Sequence, residues 1–290
     1  MPRLRKPHTV RKLPLRRLAL SALLAFHVVL PAGAQTPQPQ PEPDRPPLFT
    51  RGDAVAAGTV TAATLLLSIW DDDIADWIGQ PGVKENGFLK TSRSFANRIN
   101  ESTMGVGSLA LWGVARLTKQ ETLADVSIHI AEAVVVASVA SQLVRGPLGR
   151  ARPSVADTLE PGDYNQYIFR PFQGFTEFGY RAFPSIHTAS GFAAAAVLAG
   201  EASRRWPDQY KWIAPVAYVI AATPGLARMH LNQHWASDVL MGAFFGTMAG
   251  RKVVRYNHQV NPGNRVDRFF LGAGGVSHDR LVLFQATHTF

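Results

Sequence analysis

The 290-residue chain contains no cysteine, which excludes disulfides and thiolate metal sites while leaving the redox compartment open. Basic residues are scarce once the first 34 positions are set aside. Seven of the 30 Lys and Arg residues (Arg3, Arg5, Lys6, Arg11, Lys12, Arg16 and Arg17) lie there without an acidic partner, and the remaining 23 face 21 Asp and Glu. The formal charge of +9 therefore belongs mainly to the leader, and the rest carries no nucleic-acid footprint. Long charge-free runs are also few. The run that follows the linker, Ala54 to Trp70, has 17 residues, short of the roughly 20 that a spanning helix needs. No internal repeat is evident.

The leader combines its basic residues with an apolar run from Leu18 to Leu30 and with Ala32-Gly33-Ala34. That pattern predicts a secretory signal over 1–34, with an uncleaved membrane anchor as the alternative. Residues 35–47 form a proline-rich linker (TPQPQPEPDRPP from Thr36), extended and coreless. Export then places the folded part in the periplasm, soluble or peripherally attached to a membrane; an integral inner-membrane protein is the alternative.

From residue 48 onward, apolar stretches of helical character alternate with polar loops marked by Gly and Pro. Helices are expected at about 53–70, 104–118, 122–145, 187–204, 210–223 and 234–254, an all-α six-helix bundle over 48–258. Within Thr122 to Val144, Asp125, His129 and Glu132 fall at spacings of four and three, a polar stripe on one helix face. Asp71-Asp72-Asp73, following the first helix, reads as a solvated terminus. The stretch 259–290 changes character: Gly272, Gly274 and Gly275 separate Phe269-Phe270-Leu271 from Leu281-Val282-Leu283-Phe284, which predicts a terminal β-hairpin.

Three segments carry chemistry: Arg145 to Pro153, Phe183 to Thr188 and Arg228 to Asp238. A phosphate site needs fixed positive charge, best supplied by the planar fork of arginine, and Arg145, Arg152 and Arg228 provide it. It gains from a helix N-terminus, where Ser185 and His187 are expected. His234 and Asp238, four apart, share a helix face. An Asp there can take the Nδ1 proton of His234 and free Nε2 for attack on phosphorus, with His187 left to protonate the leaving oxygen.

In order and spacing these segments resemble the signature of the type 2 phosphatidic acid phosphatase (PAP2) superfamily, which includes bacterial acid phosphatases and vanadium haloperoxidases. That signature is Lys, six residues, Arg-Pro; Pro-Ser-Gly-His; then Ser-Arg, five residues, His, three residues, Asp. Here Arg145 replaces the Lys ahead of Arg152-Pro153, Ile186 replaces the Gly of Pro184-Ser185-Ile186-His187, and Ala227 replaces the Ser before Arg228, His234 and Asp238. The resemblance implies the superfamily's helical bundle and a metal-independent phosphatase without cofactor. Its implied substrates are phosphomonoesters or pyrophosphates, small or lipid. Arg145, Arg152, Ser185, Ile186 and Arg228 would bind the phosphate, and His234 would form a phosphohistidine oriented by Asp238, with His187 as general acid. The same residues could hold vanadate in a haloperoxidase. The Ile186 substitution raises a third reading, a degenerate member that binds anions or lipid without turnover.

Overall fold

The computed structural model describes residues 45–272 apart from 97, 157 and 159–164. The leader, most of the proline-rich linker and the second arm of the expected hairpin lie outside these residues. In chain order the helices are α1 (Arg51–Leu67), α2 (Asp71–Gly79), α3 (Pro81–Lys84), α4 (Gly87–Ala96), α5 (Glu101–Leu117), α6 (Glu121–Leu148), α7 (Pro153–Ala156), α8 (Gln173–Thr176), α9 (Ile186–Arg205), α10 (Pro207–His230), α11 (Ala236–Arg255) and α12 (Arg265–Leu271). Among the described residues there is no strand, only an isolated bridge between Arg150 and Phe169. The fold is all-α. Phe269-Phe270-Leu271, expected as the hairpin's first arm, forms the end of α12 instead. Asn264 caps that helix through the N–H groups of Val266 and Asp267, and Leu271 is buried with Ile128 and Ala131 of α6.

Local chemistry fixes the helix ends. Thr50 and Asp53 form a reciprocal capping box that starts α1, and Asn100 does the same with Thr103 for α5. Gly149, at φ 60°, closes α6 in the left-handed conformation; a Cβ there would meet the Arg170 carbonyl oxygen at 1.8 Å.

The centre of the molecule is α9, packed against α6, α10 and α11. Its interface with α11 is built from small residues. Gly242, Gly246 and Gly250 recur every fourth position, and added Cβ atoms would lie 2.4, 2.1 and 2.5 Å from the carbonyl oxygens of Ser185, Ala189 and Ala193. Helices that approach this closely gain dispersion along their backbones, and register between them is set without bulky side chains. Val126, Val134, Val197 and Val253 fill the adjoining core between α6, α9 and α11.

The outer surface is apolar over long stretches. Of the most apolar part of residues 51–79, only 6% is buried, against 56% in α6. Leu65, Leu66, Ile69 and Trp70 all project outward. A soluble protein rarely leaves such a face uncovered.

Candidate active site

The three chemical segments meet at one end of this bundle. Arg145 lies in the last turn of α6, Arg152 just beyond it, His187 in the first turn of α9, Arg228 in the last turn of α10, and His234 and Asp238 flank the start of α11. α10 runs to residue 230, past the expected end at 223, because nothing after Pro224 breaks the helix before Leu231. Arg228 therefore projects from a helix end, and His230, buried, meets Arg93 at 3.3 Å from its Nδ1.

Ser185 caps α9, accepting from the Thr188 N–H and the Thr188 hydroxyl, and its own N–H donates to the Asp238 carbonyl at 3.0 Å. That last bond ties the Pro-Ser-Ile-His segment to the start of α11, where the Gly242 contact allows close approach. Ile186 is the first residue of α9 and is buried; it is absent from the residues with positive φ. Its backbone is thus ordinary helix, and a β-branched side chain fits without strain.

His234 is almost wholly buried. Its Nδ1 lies 2.7 Å from the carbonyl oxygen of Ala182, which can only accept. Nδ1 therefore carries the proton and Nε2 keeps its lone pair. The sequence-based expectation that Asp238 takes this proton is not met: Asp238 Oδ2 is 3.7 Å from Nδ1, too long for a hydrogen bond. The carboxylate is engaged elsewhere. Oδ2 accepts the Trp235 N–H at 2.8 Å, and Oδ1 accepts from Arg150 at 2.6 Å.

Arg150 is the central piece that sequence reasoning missed. Its guanidinium donates to Asp238, to Asp71 at 2.8 Å and to the Ser237 hydroxyl at 2.7 Å. Asp71 also accepts the Ser237 N–H at 2.9 Å. Far from being a solvated terminus, Asp71 is fully buried and anchors the end of the first helix to the start of α11. An acidic run after an apolar helix and an Arg between two others gave no local hint of pairing across 79 residues.

The remaining arginines are held without carboxylate hydrogen bonds. Arg152 stacks over Phe178 at 3.7 Å from the ring centroid and touches Gln233. Burial, then the neighbouring Arg145 and Arg228, push its guanidinium down to about 9. The Nε atoms of Arg145, Arg152 and Arg228 are buried without a hydrogen-bond partner. Arg228 contacts Nε2 of His187 directly. On the other side of that ring, Glu101 lies 3.9 Å from Nδ1, a neighbour that sequence reasoning also missed.

Burial first, and then Arg228, His234, Arg152 and Arg145, hold His187 well below its ordinary value. Burial likewise lowers His234 to about 4, with Asp238 opposing and Arg152 assisting. For Asp238, burial works against ionisation, but Arg150 and His234 overcome it and the carboxyl stays below the usual range. The result is two neutral imidazoles in a concentration of positive charge, an arrangement suited to a polyanion.

Comparison with known proteins agrees with this chemistry. Residues 126–262 match the model of the PAP2 superfamily. A lipid A 1-phosphatase of Porphyromonas gingivalis is 41% identical over 69 residues, 24% of this chain and 15% of its own length. A lipid A 1-phosphatase of Rhizobium etli is 28% identical over 211 residues, covering 69% of this chain and 82% of the relative. A third, from Rhizobium johnstonii, is 33% identical over 117 residues, 39% of this chain and 40% of its own. The chain thus spans less than half of two of these three relatives. The crystal structure of a transmembrane PAP2 type phosphatidylglycerolphosphate phosphatase from Bacillus subtilis is 18% identical, covers 67% of this chain and 95% of its own, and superposes with a TM-score of 0.35. With the signature segments inside it and gathered at one site, the region 126–262 is a PAP2 superfamily domain.

Proposed function

We propose that this chain is a metal-independent phosphatase acting on a membrane lipid phosphate, through a phosphohistidine on His234. The observation that carries the reading is the hydrogen bond from His234 Nδ1 to the Ala182 carbonyl, which leaves Nε2 as a nucleophile near Arg152 and Arg145, with Arg228 against His187.

In the first step Nε2 of His234 attacks phosphorus, a P–N bond forms and the ester P–O bond breaks. His187 gives its proton to the leaving oxygen. In the second step water attacks phosphorus, His187 takes the water proton, the P–N bond breaks with its electron pair returning to Nε2 of His234, and inorganic phosphate leaves. His187 must be protonated for the first step. A bound phosphate dianion, drawing Arg228 onto its oxygens, removes the charge that opposes that protonation. The three guanidinium groups stabilise the equatorial oxygens of the transition state.

The lipid part rests on the surface and on the relatives. The apolar exterior of residues 51–79 and of α6 suits a bilayer, and all three relatives described above are lipid A 1-phosphatases. A glycosyl phosphate on a lipid anchor would bring its phosphate to a site at the bundle's end while its acyl chains stay in the membrane.

The direction of α1 through the bundle follows from two sets of contacts. Asp53 pairs with Lys252, and Arg255 donates to the Pro47 carbonyl, so residue 47 sits at the end of the bundle away from the site. Asp71 sits at the site, so α1 traverses the bundle. The far end carries Arg116, Lys119, Arg204, Arg205, Lys211, Arg251, Lys252 and Arg255. With the site on the exported face, this end and residue 47 lie on the cytoplasmic side.

The test is release of inorganic phosphate from a panel of lipid and soluble phosphates, with EDTA present, by wild type, His234→Ala and His187→Ala. Wild type retains activity on a lipid phosphate and both variants lose it. Activity that disappears with EDTA, or survives in His234→Ala, defeats the mechanism.

A further inference from the structure

At the far end of the bundle, about 24 Å from the catalytic arginines by the rise of α6 between residues 129 and 145, lies a second cluster of charged groups. His129 is fully buried. Its Nδ1 lies 3.1 Å from Glu201 Oε1, and His258 Nε2 lies 2.6 Å from the same oxygen. Asp125, four residues before His129, brings Oδ1 to 3.7 Å from the other ring nitrogen. One donor atom from each of Asp125, His129, Glu201 and His258 falls within 4.8 Å of the others.

We infer that these four side chains form a structural site for a divalent transition ion of the zinc class. Four observations support it. Two imidazoles and two carboxylates are a donor set that such ions accept, and the four donor atoms already lie within 4.8 Å of one another. The carboxylates are already oriented from behind. Arg205 holds their outer oxygens, Glu201 Oε2 at 2.9 Å and Asp125 Oδ2 in direct contact, so that the inner oxygens face the imidazoles. This is the outer-shell support that metal ligands require. His129 Nε2 is buried and faces two carboxylates, Asp267 Oδ1 at 3.5 Å and Asp125 Oδ1 at 3.7 Å. Finally, His258 is delivered by a π-helical turn, Tyr256–Val260, directly after α11, a local distortion that often marks a functional position.

Charge points the same way. Asp125 and Glu201 share a single guanidinium, that of Arg205, and so carry negative charge in excess, even with Glu132 set aside in its hydrogen bond to Asn257. A divalent ion on two neutral imidazoles offsets that excess. Protonation of both imidazoles is the metal-free alternative, and the two are distinguishable.

The full chain, purified in detergent and stripped with chelator, is titrated with Zn²⁺ and, separately, with Co²⁺. We expect one ion bound per chain, a higher melting temperature with Zn²⁺, and the intense visible bands of four-coordinate Co²⁺. His258→Ala and Asp125→Asn weaken binding by more than about tenfold, yet leave phosphate release at 25 °C intact because neither residue is near the catalytic end. Failure of wild type to bind Co²⁺ overturns the site without need of any variant, as does a pale six-coordinate spectrum. Zn²⁺ binding that is unchanged in both variants also overturns it.

Discussion

His234 donates its Nδ1 proton to the Ala182 carbonyl at 2.7 Å, while the Asp238 carboxylate, one helical turn on, stands off at 3.7 Å and bonds Arg150 instead. The tautomer of the nucleophile is thus set by a backbone carbonyl. Asp238 acts on His234 through its charge and through the chain it holds in place.

A first prediction concerns pH. His234 is buried and its imidazolium is disfavoured, with the folded value near 4 against an ordinary 6.5. The unfolded chain therefore binds more protons in this window, so stability contributed by neutral His234 is present above about pH 6.5 and is lost as pH falls toward 4. Over that interval the loss amounts to about 3 kcal/mol. The nucleophile is inactivated in the same direction, and kcat/KM should fall on the acid side with an apparent pKa near 4. A rate profile under conditions where the fold stays intact checks this; an acid limb centred near 6.5 contradicts it.

Arg150 should prove to be a stability determinant. It is nearly fully buried between Asp71 and Asp238, and removing it leaves two carboxylates without their cation. Arg150→Met is expected to cost about 3–5 kcal/mol, which for a domain of this size is a drop in melting temperature of roughly 10 °C. Arg150→Lys should recover only part, since a single ammonium cannot match the forked contacts to Asp71, Ser237 and Asp238. A melting temperature unchanged within a degree for Arg150→Met would show the network to be dispensable.

Particular residues show what the sequence could and could not reveal. The six long helices were legible because their apolar runs are interrupted by charged or Gly/Pro loops, and the three signature segments were legible because spacing survives substitution. Asp71 was misread, since an acidic run is the same string whether it meets water or a buried arginine. Phe269-Phe270-Leu271 was misread because three apolar residues fit strand or helix alike; the Asn264 cap, a few residues earlier, decides for helix. The four-residue period of Gly242, Gly246 and Gly250 was present in the sequence and marks the α9 contact, but glycine spacing identifies a partner only when the partner is known. Asp125 and His129 formed a visible stripe, whereas Glu201 and His258 join them only through the fold.

Ile186 offers a test of whether the departure from Gly weakens the site. Its backbone is helical, it is buried, and it starts α9. Ile186→Gly removes buried side-chain volume and adds backbone freedom, which together should destabilise by roughly 3 kcal/mol. Turnover at 25 °C should change by no more than a few fold. A large gain in phosphate release with Gly would revive the reading of a compromised, anion-binding member.

The absence of cysteine makes the membrane orientation directly measurable. Leu117 is 86% exposed at the end of α5 remote from the site, and Tyr167 is 50% exposed in the loop whose neighbour Ile168 accepts the Ala151 N–H beside the catalytic arginines. Each can be replaced singly by Cys in an otherwise thiol-free chain. In intact cells with a permeable outer barrier, a membrane-impermeant maleimide should label Tyr167→Cys and spare Leu117→Cys, which reacts only after lysis. Labelling of both positions in intact cells would mean an exported bundle that does not cross the membrane. The reverse pattern would put the catalytic end in the cytoplasm and overturn the exported site.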